Sequence, residues 1–182
     1  PGPRLHGPEL AGEVQDLGSR CELRPVQATL VPEKREEVTT EGGLALSEVA
    51  QRKPTGAALR RLAEAGVRTS LFIDPEEDAV RASADLGADA IELHTGEYAN
   101  TRGEERRCHL QRIVRAASLG RSLGLDVHAG HGLTYENVAP VAAIAELEEL
   151  NIGHSIVSRA LFTGLEAAVR EMAAIIRRAR FS

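Results

Sequence analysis

From Val26 onward the chain alternates short β-type runs with helical stretches, several of ten or more residues, and this alternation limits its fold more tightly than any other feature. A β-type run at Val26–Val31 stops at Pro32. The Gly-containing loop Thr39–Gly43 leads to a helical stretch at about 56–65, punctuated by Gly66 as a C-terminal cap would be. Strand Arg68–Ile73 precedes helix Pro75–Leu86, where Asp74 is placed as the N-cap, with Pro75 at the first helical position and Glu77 at the third. Strand Ala90–His94 and a long helix over 104–123 follow, and Gly87 and Gly124 close the two helices. Strand Leu125–Ala129 feeds the loop Gly130–Thr134 and a short helix after Asn137, with Pro140 in its first turn, where a missing N–H is tolerated. The last strand, Glu149–Ile152, runs into Gly153–His154 and a helical tail ending near Arg180.

Strands that alternate with helices of this length are βαβ units, and βαβ units make a parallel sheet. Five units are visible. An open doubly wound sheet accommodates five strands, whereas a (β/α)₈ barrel needs about 250 residues, so 182 residues correspond to a barrel short of roughly three units. Periodicity leaves both open.

Composition narrows the class further. With no Trp and 3% aromatic residues, the core must be built from Leu, Ile, Val and Ala. No apolar run reaches membrane-spanning length and nothing in 1–20 reads as a secretory signal, so the expected location is cytoplasmic, with no membrane partner. A formal charge of −5 without an aromatic-plus-basic stretch speaks against nucleic acid, but not against phosphate esters, which local backbone N–H groups hold. Cys21 and Cys108 are too few for a disulfide framework or a zinc knuckle and are read as free thiols.

Polar residues collect where such folds place their chemistry. His94, His128, His131 and His154, four of the six histidines, fall at or just past the C-terminal end of an expected strand, and Thr39, Thr40 and Glu41 follow another. In Asp89–Gly96, alternation puts Ile91 and Leu93 on one face and Glu92 and His94 on the other. A carboxylate turned inward is costly unless paired or working, and desolvation raises its pKa toward a proton-transfer range. An ion pair with an interior base is the plain alternative. In Asp126–Thr134, Gly130 and Gly132 flank His131, leave its imidazole exposed and suit it to general acid or base work. His128 and His131 offer two metal-type ligands without a third at suitable spacing, so no metal is expected, and His128 is read as a structural strand residue. Asn151–Gly164 is a strand, a Gly turn and a helix start, an arrangement whose free N–H groups favour an anion.

Together, Leu30–Leu44, Ser70–Asp74, Ile91–Gly96, Ala129–Tyr135 and Leu150–His154 resemble the pyridoxine 5′-phosphate synthase family in text, order and spacing, over about residues 22 to 178. The resemblance implies a TIM barrel, here roughly its last five βα units, and a transferase with no metal and no organic cofactor. It implies condensation of 1-deoxy-D-xylulose 5-phosphate with 3-amino-2-oxopropyl phosphate, releasing pyridoxine 5′-phosphate, phosphate and water, in a homo-oligomer that is an octamer in the family. Carried over by position, it gives Thr39 a contact with the deoxyxylulose phosphate, Glu92 a transition-state role and His131 the role of proton donor. Gly132, Gly153 and His154 become ligands of the aminooxopropyl phosphate.

The resemblance also divides the chain into an atypical segment, 1–24, and a C-terminal barrel portion, 25–182. The family's Asn-Ile-Asp-His, His-x-Arg-Glu-Asp-Arg-Arg and Leu-Glu-Met-Ala segments are not found in 1–24. The expectation for the 182 residues alone is weak binding of a phosphate ester without turnover. The competing expectation is a non-catalytic remnant that keeps the phosphate pocket or an assembly surface.

Overall fold

A computed structural model describes residues 25–32 and 42–181. They form a five-stranded, all-parallel sheet in the order β1 to β5, curled like part of a barrel, with helices packed on its outside. The strands are β1 (Gln27–Leu30), β2 (Arg68–Ile73), β3 (Ala90–His94), β4 (Asp126–Gly130) and β5 (Glu149–Asn151). The helices are α1 (Val49–Glu64), α2 (Glu77–Asp85), α3 (Gly96–Asn100), α4 (Gly103–Ser122), α5 (Val138–Ala142), α6 (His154–Thr163) and α7 (Leu165–Arg180). Consecutive strands are neighbours, which rules out the reversal of strand order that defines a doubly wound sheet.

The register sorts the side chains into two kinds. Leu71, Ile91 and Val127 align across β2, β3 and β4, as do Ile73, Leu93 and Ala129, and all six lie completely buried beneath the helices. Each fully buried aliphatic of this size contributes about 1.5–3 kcal/mol relative to exposure. The alternate positions face the concave side: Ser70 and Phe72 on β2, Glu92 and His94 on β3, His128 on β4 and Asn151 on β5. The aliphatic set packs under the helices, and the alternate set aims its polar members at one interior near the C-terminal ends of the strands, where such folds place their chemistry. His128 sits within β4, buried at 6% exposure, in register with Glu92.

Helix α4 packs tightly on the sheet at Gly120, where an added Cβ would lie 2.9 Å from Val127 Cγ2 and 3.0 Å from Ile91 Cδ1. Below it, at the N-terminal ends of the strands, Asp126 pairs with Arg68 and with Arg121 (3.0 Å), and Arg121 also reaches Glu148 (2.6 Å). The Arg68 hydrogen bond, helped by Arg121, holds the Asp126 carboxyl below its usual range.

Three local expectations are corrected. Asp74 is not a helix cap: α2 starts at Glu77 with Glu76 as the N-cap residue. The turn after β2 instead brings the Asp74 carboxylate to the Gly43 N–H, which it accepts (3.0 Å), and to His94 Nδ1, which it faces (3.2 Å). Helix α1 starts at Val49, well before 56, although Pro54 and Gly56 are poor helix formers. Burial of Ala58, Leu59 and Leu62 outweighs that local cost. The C-terminal tail is two helices, broken at Gly164, whose φ of 80° no helix continues. Glycines at 66, 87 and 124 do end their helices with positive φ, as the sequence indicates. Among the described residues no helix is long and apolar enough to cross a membrane.

Candidate active site

At the C-terminal ends of β3 to β5 lies an open cleft of about 1010 Å³ whose lining includes His94, His131, Gly132, Gly153, His154 and Ser155. Glu92 is set deeper, at 1% exposure, because β3 alternation turns it inward and neighbouring strands close over it. Its Oε1 is 3.9 Å from His131 Nδ1, an ion-pair separation rather than a hydrogen bond. The carboxylate occupies the space in which residue 130 would carry a Cβ, so only glycine fits beside it on β4.

His131 has φ 78°, and no other described residue apart from glycines has a positive φ. Left-handed backbone disfavours L side chains, so the surrounding structure must hold it. The turn carries the imidazole back over the sheet. There Phe72 lies 4.5 Å from the His131 ring and 5.2 Å from the His94 ring, and the two imidazoles stand edge to face at 5.5 Å. An aromatic floor beneath two titratable rings lowers the local dielectric and strengthens any charge interaction made above it.

His94 is 9% exposed, with Nδ1 toward Asp74 and Nε2 toward Gly96, where an added Cβ would be 2.6 Å away. The His94 hydrogen bond first, and the Gly43 amide after it, keep the Asp74 carboxyl below its ordinary range although partial burial opposes them. An ionised Asp74 favours a proton on His94 Nδ1. Through the Gly43 N–H, Asp74 also ties the segment that leads into α1 to the histidine pair.

Across the cleft, α6 begins at His154 with Gly153 as its N-cap residue, and an added Cβ at 153 would meet nothing within 4 Å. The first N–H groups of a helix have no partner within it and carry its positive dipole end. Glu92 and His131 are thus neighbours, and His131, Gly132, Gly153 and His154 border one cleft. Thr39 lies outside the described residues. Among the described residues no three His, Cys, Asp or Glu side chains are arranged to hold a metal ion.

Sequence reading does not single out Phe72, Thr95, Asn137 or Ser155, all of which shape this cleft. Phe72 falls within the Ser-Leu-Phe-Ile-Asp motif, which is a signal of a kind. The others act on backbone carbonyls, which carry no pattern of their own.

Residues 9–178 match the family profile described as "Pyridoxal phosphate biosynthesis protein PdxJ". The chain belongs to this family. Among similar proteins is the pyridoxine 5′-phosphate synthase of Trichlorobacter lovleyi, 53% identical over 172 residues, which cover 93% of this chain and 71% of that protein. The synthase of the same name from Legionella pneumophila (strain Corby) is 54% identical over 173 residues, 94% of this chain and 69% of the relative. That of Zymomonas mobilis subsp. mobilis is 50% identical over 173 residues, again 94% of this chain and 66% of the relative. The chain therefore spans about two thirds of the length of these relatives.

Two solved structures share the fold at low identity. One is a mandelate oxidase mutant with a monooxide FMN adduct, with TM-score 0.61 and 11% identity over 97% of this chain and 55% of the other. The other is the Amycolatopsis orientalis BexX/CysO complex, with TM-score 0.52 and 15% identity over 88% of this chain and 61% of the other.

Proposed function

We propose that this chain supplies Thr39, Glu92, His131, Gly132, Gly153 and His154 to a pyridoxine 5′-phosphate synthase site, a transferase acting in vitamin B6 biosynthesis. The reaction joins 1-deoxy-D-xylulose 5-phosphate to 3-amino-2-oxopropyl phosphate and releases pyridoxine 5′-phosphate, phosphate and water. The observation that carries this reading is the placement of a buried carboxylate against a histidine at the floor of a cleft whose far wall is a helix start.

In this reading His131 delivers a proton to a leaving oxygen during ring closure, and Glu92, 3.9 Å behind it, stabilises the cationic imidazole and the positive charge that develops on the substrate. Gly132, Gly153 and His154 hold the phosphate of the aminooxopropyl substrate through backbone N–H groups and the α6 dipole. Thr39 contacts the other substrate. The chemistry is acid–base and electrostatic and draws on no metal or organic cofactor. The partners are two phosphorylated small molecules and further copies of the chain, in the cytoplasm.

The test is a calorimetric titration of the purified chain with 3-amino-2-oxopropyl phosphate, beside an assay for pyridoxine 5′-phosphate with both substrates. Saturable binding should weaken at least about tenfold on replacing His154 by Pro, which removes one of these N–H groups at the first helical position, where proline is tolerated, since a charge-assisted hydrogen bond contributes about 1.5–3 kcal/mol. Unchanged affinity would refute the assignment of the phosphate to this wall. The 182 residues alone should not turn over, because the family's Asn-Ile-Asp-His and His-x-Arg-Glu-Asp segments are not among them. Turnover that disappears in His131→Ala would overturn that part.

A further inference from the structure

Each of the four carbonyls from Gly130 to Leu133 lies within hydrogen-bond reach of a side-chain donor outside that stretch. Thr95 Oγ1 donates to Gly130 O (2.7 Å) and lies within hydrogen-bond reach of His131 O. Asn137 Nδ2 donates to Gly132 O (3.1 Å), and Ser155 Oγ donates to Leu133 O (2.8 Å). Asn137 is fixed in turn, since its Oδ1 accepts the Thr134 N–H (2.7 Å) and Tyr98 Oη donates to its carbonyl (2.6 Å). A trans peptide is planar, so a carbonyl and the following N–H point in opposite directions. With the His131 and Gly132 carbonyls drawn toward Thr95 and Asn137, the amides of Gly132 and Leu133 turn the other way, and among the described residues they donate to no protein acceptor.

We infer that Thr95 is a positioning residue: its buried hydroxyl latches the Gly130 and His131 carbonyls, holds His131 in its left-handed conformation, and so sets the imidazole and the two amides toward the cleft. Two features fit Thr95 to this role. It is completely buried at the start of α3, and its own N–H also donates to Gly130 O (2.9 Å), so its hydroxyl has no freedom to wander. The latch also acts where support is needed, because His131 is the strained residue and Gly132 after it has φ 71°. Asn137 and Ser155 fasten the downstream half of the turn. Thr95 touches no substrate; it acts through His131 and the Gly132 amide. The functional part of this inference rests on the reading of the cleft as a phosphate site, whereas the latch does not.

The test compares the full chain with Thr95→Val, which keeps the shape and removes the donor, and Thr95→Ser, which keeps the donor. A positive φ brings the amide and α protons of one residue close together. His131 should therefore show a strong intraresidue HN–Hα NOE in the unmodified chain and in Thr95→Ser, and lose it in Thr95→Val. Inorganic phosphate, titrated against the Gly132 and Leu133 amide shifts, should bind about five- to tenfold more weakly to Thr95→Val and within about twofold of the unmodified chain in Thr95→Ser. An unchanged NOE and unchanged phosphate affinity in Thr95→Val would overturn the inference. If no form binds phosphate yet the NOE disappears only in Thr95→Val, the latch stands and the reading of the cleft fails. Should Thr95→Val not fold, the unmodified chain still decides: a slowly exchanging Thr95 hydroxyl proton supports the latch, and a rapidly exchanging one overturns it.

Discussion

Replacing Gly130 by Ala adds one methyl group at the most constrained position of the cleft floor. The added Cβ would fall well inside van der Waals distance of Glu92 Oε1, and 3.0 Å from both Cβ and O of Asn151. To restore ordinary contact the carboxylate must retreat by about 1 Å, and at 1% exposure it has no solvent to retreat into. The strand backbone at 130 is not in the left-handed region, so the cost is overpacking, about 1–3 kcal/mol, offset by about 0.4–1 kcal/mol from the stiffer unfolded chain. A net loss of about 1–2 kcal/mol lowers Tm by about 2–8 °C for a domain of this size. Gly120→Ala is the control: its Cβ comes nearest to Val127 and Ile91, at 2.9 and 3.0 Å, on the face of the sheet opposite to Glu92. Both variants should lose comparable Tm by calorimetry, but only Gly130→Ala should also shift the His131 ring resonances and weaken phosphate binding. If Gly130→Ala melts with the unmodified chain and leaves His131 untouched, the carboxylate is not confined as described and the reasoning fails.

Asp74→Ala removes the shared acceptor of Gly43 and His94; because Asp74 is about half exposed, the stability loss should be only about 1 kcal/mol by urea denaturation, while the His94 side-chain nitrogens lose their preference for a proton on Nδ1. An unchanged His94 tautomer in side-chain nitrogen NMR would refute the pairing. Acid sensitivity should trace in part to Asp126, whose carboxyl is depressed chiefly by Arg68: a depressed group adds stability above its unfolded pKa of about 3.9 and loses it as pH falls through the lower folded value. Asp126→Asn should therefore be less stable at pH 7 yet show a flatter decline below about pH 4 in urea midpoints, and parallel declines would count against the ion cluster.

The order of strands and helices is legible because the outward residues of the strands are mostly aliphatic and several helices close on a glycine with positive φ. Inward placement of Glu92 and His94 follows from period-two alternation alone. Asp74 misleads for a physical reason: an Asp before Pro75 looks like a cap, and only tertiary structure reveals that Gly43 and His94 reach it first. Thr95, Asn137 and Ser155 stay hidden because their partners are backbone carbonyls brought near by the fold. Helix α1 is underestimated because packing of Leu59 and Leu62 overrides Pro54. His131 stands out between two glycines, yet its left-handed backbone is not legible from residue type. Histidine tolerates that conformation better than most residues but adopts it in only a small minority of cases, so the carbonyl contacts of the fold decide it here.

The two-faced strands also govern how a chain of this kind can vary in length. Every strand carries a packing message on odd steps and a chemical message on even ones, so a single inserted or deleted residue within β3 would exchange Leu93 with Glu92 or His94. A charged group would then face the helices and an aliphatic one the cleft, failing both tasks at once. Point substitutions can drift independently on the two faces, but insertions and deletions are confined to the connections. Length differences between descendants of one ancestor should accordingly gather in the turns, while the strands themselves keep count.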